Sequence, residues 1–315
     1  MVKNHNSGPA DAGEADRLLR RVTWVAVAVA ATLVAGKFIA WWMIDAVSLL
    51  ATLIDSMLDL FASTLNLLAV RHALTPADRE HRFGHGKAEA LAGLGQSAFI
   101  AGSAGFLLLE ASRRLLDPAP LGNIGPGVIV TCLSIVATLG LVSYQRYVLS
   151  RVDSVAIRAD SLHYRTDLLV NLAVILALWL STIGWPGFDP LLAILVALYI
   201  LYSVAAILRQ SLDQLMDREL PDADRARIEE LARNNGQVRG LHDLRSRRAG
   251  TALFLQLHLE LDDDLSLFQA HAVADEVEAA IVAAYPGAEV LIHIDPVSVV
   301  PAEPVPPFLA GDQNS

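Results

Sequence analysis

The chain has 315 residues, of which 54% are hydrophobic and 18% are charged, and its mean hydropathy is +0.43. A soluble domain is about 45–50% apolar and about 25% charged, so this composition indicates a membrane protein and excludes a disordered chain, a coiled coil and a collagen-like fibre. The single cysteine, Cys132, excludes a disulfide scaffold and a cysteine-based zinc finger. The net charge of -10 comes from residues 210–315, which carry 8 Lys+Arg against 19 Asp+Glu. This excess argues against nucleic acid as a partner, because phosphate binding requires a basic face.

Six apolar segments have the roughly 20 residues that a helix needs to cross a bilayer. They are approximately Val22–Ile44, Ala46–Val70, Ala88–Leu109, Val128–Leu149, Leu162–Ile183 and Leu191–Leu208. The first has no small-residue cleavage site and is too long for a signal peptide, so we interpret it as a retained helix. Lys and Arg concentrate before the first span and in the second-to-third and fourth-to-fifth connections, whereas the opposite side has only Arg113 and Arg114. The positive-inside rule therefore predicts that both termini are cytoplasmic.

Beyond Leu208 the sequence predicts a soluble α+β domain with the order α-β-β-α-β. The predicted elements are a helix from Asp222 to about Asn234, a segment Leu241–Arg248, a strand Thr251–Leu261, a helix from Ser266 to Ala284 and a strand Glu289–Asp295. Leucines alternate with polar residues along the second strand, which is typical of a half-buried strand. The predicted domains are an N-terminal cytoplasmic segment (residues 1–20), a six-helix transmembrane domain (21–209), a cytoplasmic domain (210–300) and a disordered tail (301–315).

Two of the predicted spans carry polar residues on one helical face. The second span has Ser48, Thr52, Asp55, Asp59, Ser63 and Asn66 at steps of three or four, and the fifth has Asp160, His163, Asp167 and Asn171. Each Asp costs roughly 2.5–3.5 kcal/mol at mid-membrane, and no Lys or Arg lies at mid-span in either helix. A bound divalent cation would compensate these charges.

Four of these residues form two pairs spaced one helical turn apart. Asp55 with Asp59, and His163 with Asp167, would supply four nitrogen and oxygen ligands from two helices. Zinc favours such tetrahedral sets, and imidazole suits zinc and iron better than manganese. The residues alone leave open a water-filled polar seam without a ligand, or a proton relay.

Four motifs resemble the cation diffusion facilitator family. They are Asp55-Ser-Met-Leu-Asp59, His163-Tyr-Arg-Thr-Asp167, the loop Asp78-Arg-Glu-His81-Arg-Phe-Gly-His85-Gly-Lys87, and the ending His293-Ile-Asp295-Pro296. Their order is similar to that in the bacterial ferrous-iron/zinc efflux pumps of this family, from about Arg20 to Pro301. The resemblance implies a homodimer of six-helix protomers, each with a ferredoxin- or metallochaperone-like cytoplasmic metal-binding domain, and metal/proton antiport.

The resemblance also implies the residues of three metal sites and one dimer contact. The transport site would be Asp55, Asp59, His163 and Asp167; the loop site, Asp78, His81 and His85; and the cytoplasmic binuclear site, His242, His258, His271, His293 and Asp295, bridged by Asp295. Lys87 would pair with Asp217 and hold the dimer together. Read without the family, the loop histidines could equally be stray surface residues, and Lys87 an ordinary juxtamembrane charge.

The predicted function is therefore efflux of a divalent metal cation in exchange for protons, across the inner membrane of a bacterium. Zinc is the expected ion, both transported and structural, with ferrous iron and cadmium as further substrates and no organic cofactor. The expected partners are a second copy of the chain, the lipid bilayer and protons. The alternatives are a membrane-anchored metal sensor, a passive channel and an intramembrane metallohydrolase, although the sequence has no H-E-x-x-H motif.

Overall fold

A computed structural model describes residues 12–44, 47–116, 128–182 and 188–300. They divide into two units: the first ends at Met216 and includes Ala249–Thr251, and the second contains Asp217–Arg248 and the chain from Ala252 onward. The predictions for residues 1–11 of the N-terminal segment and for the tail 301–315 lie outside the described residues.

The first unit consists of six helices. They are α1 (Ala12–Ile44), α2 (Val47–Ala73), α3 (Lys87–Leu116), α4 (Val128–Leu149), α5 (Val155–Thr182) and α6 (Phe188–Leu215). Within the described residues, α1, α2, α3, α4 and α6 each contain a stretch long and apolar enough to cross a membrane. The remaining helix, α5, has 28 residues and carries Arg158, Asp160, Arg165 and Asp167. A helical membrane domain is thus confirmed, and each predicted span corresponds to one helix.

Several helices extend beyond the apolar segments that predicted them. Helix α5 begins at Val155 rather than near Leu162, because the Ser154 hydroxyl accepts a hydrogen bond from the backbone N–H of Ile157 at 3.2 Å and caps the helix. Helix α6 continues to Leu215 rather than ending near Leu208. Hydropathy detects only the stretch of a helix that is apolar enough to lie in the hydrocarbon. The backbone remains helical beyond that stretch, where the residues are more polar.

Small residues allow close helix packing in the first unit. A Cβ atom on Gly93 of α3 would lie 2.7 Å from both the Ser211 hydroxyl on α6 and the Val155 Cγ1 on α5. Ile100 and Ile200 are buried in the same cluster of side chains, which also includes Val155. Gly93 therefore lets α3 pack closely against both neighbours.

The second unit contains α7 (Asp222–Arg233), β1 (Gly240–Ala249), β2 (Ala252–Leu261), α8 (Leu267–Ala284) and β3 (Ala288–Pro296), which confirms the predicted order. The sheet order is β1-β2-β3, and β2 pairs with β3 in parallel so that His258 lies beside His293. The alternating leucines of β2 are buried with Ile228 of α7 and Ile281 of α8. The helices thus cover the apolar sheet face, and the histidines lie on the other.

Candidate metal sites

One cluster in the membrane unit joins α2 to α5. His163 Nε2 lies 3.0 Å from Asp59 Oδ1 and 3.8 Å from Asp167 Oδ2. Each of the three residues offers a ligand atom within 4.8 Å of the other two. The His163 side chain is buried, and Asp59 and Asp167 are partly exposed. Helices α2 and α5 thus bring one imidazole and two carboxylates together inside the helical unit.

Asp55 lies one turn away from this cluster on α2. It is not part of the compact group of three, but it lines the same cavity of about 640 Å³ as Asp59, His163 and Asp167. Asn171 also lines this cavity, and its side-chain amide donates to the backbone carbonyl of Asp167 at 2.8 Å. All four predicted transport-site residues therefore line one cavity, and three of them form the compact group.

Two hydrogen bonds fix the rotation of α5 against its neighbours. Ser63 Oγ on α2 lies 2.7 Å from Tyr164 Oη, and both groups are buried. Gln145 on α4 donates from Nε2 to Asp160 Oδ2 at 2.8 Å, also in the interior. Since His163 lies between Asp160 and Tyr164 along α5, these contacts orient its ring toward α2.

A lysine of α1 reaches the same region and was missed by the sequence analysis. Lys37 Nζ donates to Ser56 Oγ at 2.6 Å and to the carbonyl of Thr52 at 3.2 Å. These two α2 residues lie on either side of Asp55, so the ammonium group lies against the helix segment that carries this carboxylate. The sequence did contain a signal for this residue, because Lys37 is one of three lysines and lies inside an apolar span.

A second cluster lies in the connection from α2 to α3. His85 Nε2 is 3.4 Å from Asp78 Oδ2, and His81 Nδ1 is 3.4 Å from Asp78 Oδ1. His85 Nδ1 lies 3.3 Å from the carbonyl of Thr75, an arrangement that leaves Nε2 directed at the carboxylate. The loop closes because Asp78 accepts the backbone N–H groups of Glu80 and His81 and because Gly84 adopts a φ of +76°.

The electrostatics of this loop favour an ionised carboxylate. Hydrogen bonds from the backbone N–H groups of His81 and Glu80, together with the nearby imidazoles, hold the pKa of Asp78 below its ordinary value. Asp78 is therefore available as a ligand without first losing a proton. The structure brings together all three predicted loop residues, since each offers a ligand atom within 4.8 Å of the others.

A third cluster occupies the polar face of the sheet in the second unit. Asp295 Oδ2 lies 2.7 Å from His258 Nδ1 and 3.5 Å from His242 Nε2, and Asp295 Oδ1 lies 3.2 Å from His293 Nε2. The parallel register of β2 and β3 produces this arrangement, since His258 is opposite His293 and Asp295 follows two residues later on the same face. Both oxygens of one carboxylate thus contact imidazoles.

Two further features of this cluster bear on metal binding. Burial acts to raise the pKa of Asp295, but the hydrogen bond from His258 and the nearby His293 and His242 outweigh it, so the pKa lies below its ordinary value. Glu260 Oε1 lies 2.9 Å from His242 Nδ1 and orients that ring. Within the described residues of a single chain, the ligand atoms that lie within 4.8 Å of one another belong to His242, His258 and Asp295. His293 contacts Asp295 but is not in this compact group. His271 is not in it either; it lies on α8 with its Nδ1 3.5 Å from Asp275 Oδ1.

Lys87 and Asp217, predicted to join the dimer, belong to different units. Lys87 is the first residue of α3, and its Nζ donates to the carbonyl of Leu215 at 3.4 Å. Asp217 adopts a φ of +55° and lies 3.6 Å from Arg247 Nη1. Their role as an interlock stays a prediction.

The fold and these clusters together define a membrane transporter for metal cations. The chain matches the cation efflux transmembrane domain over residues 23–216 and the cytoplasmic domain of cation efflux proteins over residues 220–297. It therefore belongs to the cation efflux family, which confirms the resemblance seen in the motifs. As a member of this family it is a transporter rather than an enzyme.

Curated relatives match nearly the full chain. The cation-efflux pump FieF of Klebsiella pneumoniae subsp. pneumoniae is 49% identical over 286 residues, which cover 91% of this chain and 95% of that protein. FieF of Escherichia coli (strain K12 / DH10B) is 49% identical over 287 residues, covering 91% and 96%. A solved structure of CzrB in its zinc form is 34% identical and covers 27% of this chain and 98% of its own, with a TM-score of 0.26.

Proposed function

We propose that the protein exports a divalent metal cation from the cytoplasm in exchange for protons. Zinc is the main substrate, and ferrous iron and cadmium are further substrates. The observation that carries the proposal is the group Asp59, His163 and Asp167 in a cavity of the membrane unit. Two carboxylates and one imidazole form a donor set that suits zinc and iron. The 49% identity to proteins named cation-efflux pumps supports the direction of transport.

Proton exchange follows from the chemistry of these ligands. A metal ion binds deprotonated carboxylate and neutral imidazole, so binding releases protons and protonation releases the metal. When the cavity faces the cytoplasm, the ion displaces protons from Asp59, His163 and Asp167. When the cavity faces outside, protons return to the same atoms and the ion leaves.

Lys37 balances the charge of the empty site in this scheme. Its ammonium group contacts the α2 segment that carries Asp55, and uncompensated acids are costly in a membrane. A bound divalent cation replaces this compensation and is repelled by the lysine. Lys37 therefore lowers the cost of the metal-free state and keeps metal binding reversible.

The assembly that we propose is a homodimer in the bacterial inner membrane. Both termini are cytoplasmic, in accord with the distribution of Lys and Arg and with the match of the second unit to a cytoplasmic domain. Lys87 and Asp217 hold the protomers together. The cluster in the α2–α3 connection (the loop cluster) and the cluster on the polar sheet face (the sheet cluster) bind zinc as accessory sites. The excess of acidic residues in the second unit attracts cations from the cytoplasm.

The test is transport by purified protein in vesicles that contain a metal-sensitive dye. An imposed pH gradient, acidic on the side that receives the metal, should accelerate zinc flux, and its collapse by a protonophore should remove the acceleration. Zinc flux that is the same with and without the gradient would contradict proton exchange and favour a passive channel. Competition by ferrous iron, cadmium and manganese in the same vesicles ranks the substrates.

A separate experiment distinguishes transport from metal sensing. Cells that carry His163→Ala at normal expression should lose zinc tolerance, because this change removes the imidazole from the group Asp59, His163 and Asp167 (the membrane cluster). A sensor that uses only the second unit would leave zinc tolerance intact in these cells. Asp153→Ala is the control, since it removes an exposed carboxylate from the connection between α4 and α5.

A further inference from the structure

A fourth histidine lies beside the loop cluster. His72, in the last turn of α2, has its ring centroid 4.6 Å from that of His85, and the two planes are inclined by 60°. The rings of His81 and His85, which both belong to the cluster, are also 4.6 Å apart. The ring of His72 is thus as close to the ring of His85 as the ring of His81 is.

This separation fits two imidazoles that share one ion. Zinc–nitrogen bonds are about 2.0–2.1 Å long, so two imidazoles on a tetrahedral zinc place their ring centroids about 5 Å apart. In the structure the ligand atoms of Asp78, His81 and His85 already lie within 4.8 Å of one another, with His72 beside the group. The His72 side chain is exposed.

The loop cluster has a chemical need for another ligand. Asp78, His81 and His85 fill three positions, whereas a closed zinc site has four protein ligands. Arg79 and Arg82 lie in the same loop and repel a cation. A neutral imidazole adds a donor without adding charge, and His72 would contribute it from the end of helix α2.

We propose that His72 is the fourth ligand of this site, so that Asp78, His81, His85 and His72 bind one zinc ion at the start of the connection from α2 to α3. The bound ion ties the end of α2 to the loop that precedes α3. The inference rests on the proposed function only in taking the loop cluster as a zinc site, and it does not depend on proton exchange at the membrane cluster.

The test uses the full chain with the other two clusters disabled by Asp59→Ala and Asp295→Ala. Zinc affinity of this parent is measured by competition with a chelator of known affinity. His72→Phe should weaken zinc binding by about tenfold or more, and His85→Phe should do the same. Leu68→Phe is the matched control, because it places the same ring one turn earlier on an exposed position of α2 without removing a nitrogen ligand.

A second variant reports coordination directly. In the same parent, His72→Cys places a thiol where the imidazole stood, and cadmium bound to a thiolate gives an ultraviolet charge-transfer band. The parent, which retains Cys132, provides the blank. A cadmium-dependent band in His72→Cys that is absent from the parent supports direct ligation.

The outcomes separate this inference from the proposed function. If His85→Phe weakens zinc binding, while His72→Phe matches Leu68→Phe and His72→Cys gives no band, the fourth ligand is wrong and the three-residue site stands. If neither His72→Phe nor His85→Phe changes zinc binding, there is no zinc site in the loop and the inference also fails. Gradient-dependent flux in vesicles of the unmodified protein then still tests transport on its own.

Discussion

The membrane cluster and the sheet cluster contain opposite proportions of the same two ligand types. In the membrane unit, Asp59 and Asp167 surround the single His163, whereas in the second unit the single Asp295 contacts three histidines. A bound divalent cation neutralises the two ionised carboxylates of the membrane cluster. When the ion leaves, their negative charge must be compensated by bound protons or by Lys37. The sheet cluster lies at a polar surface, where water solvates it in either state. We therefore expect metal release to require proton uptake in the membrane cluster more than in the sheet cluster.

The largest expected effect is that of removing a carboxylate from the membrane cluster. Asp59→Ala removes one of the three ligand atoms and leaves His163 without its 3.0 Å partner. Loss even of a residue that only supports a metal ligand typically lowers metal affinity by roughly 10–100-fold. Zinc flux in vesicles should fall by at least that factor. Asp153→Ala should retain flux, and equal flux in the two variants would rule out Asp59 as a ligand of the transported ion.

Much of this cluster could be predicted because one helix fixes the geometry of its own residues. The steps of three and four along α2 and α5 place Asp59, His163 and Asp167 on single faces, and the cost of burying acids brings those faces together. The approach of Lys37 could not be predicted in the same way. It depends on how α1 packs against α2, and a pattern within one helix contains no information about a lysine on another.

The sheet cluster was predictable for a different reason. Alternation along β2 separates the leucines from His258, and the same alternation along β3 puts His293 and Asp295 on one face. The sequence does not specify which residue of β3 lies opposite His258, because register depends on the whole β2–β3 pairing. His271 lies apart from the group within one chain because α8 packs on the apolar face of the sheet, opposite the face that carries the other histidines. His72 was overlooked because it is in a helix end rather than in the loop motif.

A change next to the sheet cluster tests whether its histidines are held as metal ligands. Glu260→Gln weakens the contact that orients His242, and loss of such a supporting group typically lowers metal affinity by roughly 10–100-fold. Zinc binding to the full chain should lose one tight class of site, while zinc flux at saturating metal should persist. Glu289→Gln, on an exposed position of β3, is the control. Unchanged zinc binding in Glu260→Gln would mean that the sheet cluster is an ordinary polar surface.

Replacing the lysine near the membrane cluster sharpens the comparison. Lys37→Met removes a positive charge that opposes the ion, so zinc should bind about tenfold more tightly and leave more slowly, which lowers both KM and the maximal flux. Lys37→Arg keeps the charge and should behave like the unmodified protein. Weaker zinc binding in Lys37→Met would show instead that the lysine organises the cavity through Ser56 and the Thr52 carbonyl.

The smallest expected effect concerns a carboxylate that is paired in water rather than in the membrane. Arg239 donates to both oxygens of Asp262 at 2.9 and 2.6 Å, and this hydrogen-bonded contact holds the pKa of Asp262 below its ordinary value. A group with a lowered pKa contributes stability that is fully present above its unfolded pKa of about 3.9 and is lost as the pH falls through the folded value. Asp262→Asn should therefore slightly increase the rate of amide hydrogen exchange at the end of β2 at pH 7. The increase should be smaller in high salt. It should vanish at a pH below the folded-state pKa of Asp262, where this carboxyl group is protonated in the unmodified chain as well. Asp264→Asn is the neighbouring control. Stabilisation by an exposed ion pair depends on pH and on salt. If the difference in hydrogen exchange between Asp262→Asn and the unmodified chain is the same in acid and in high salt, the side chain acts through packing and not through its charge.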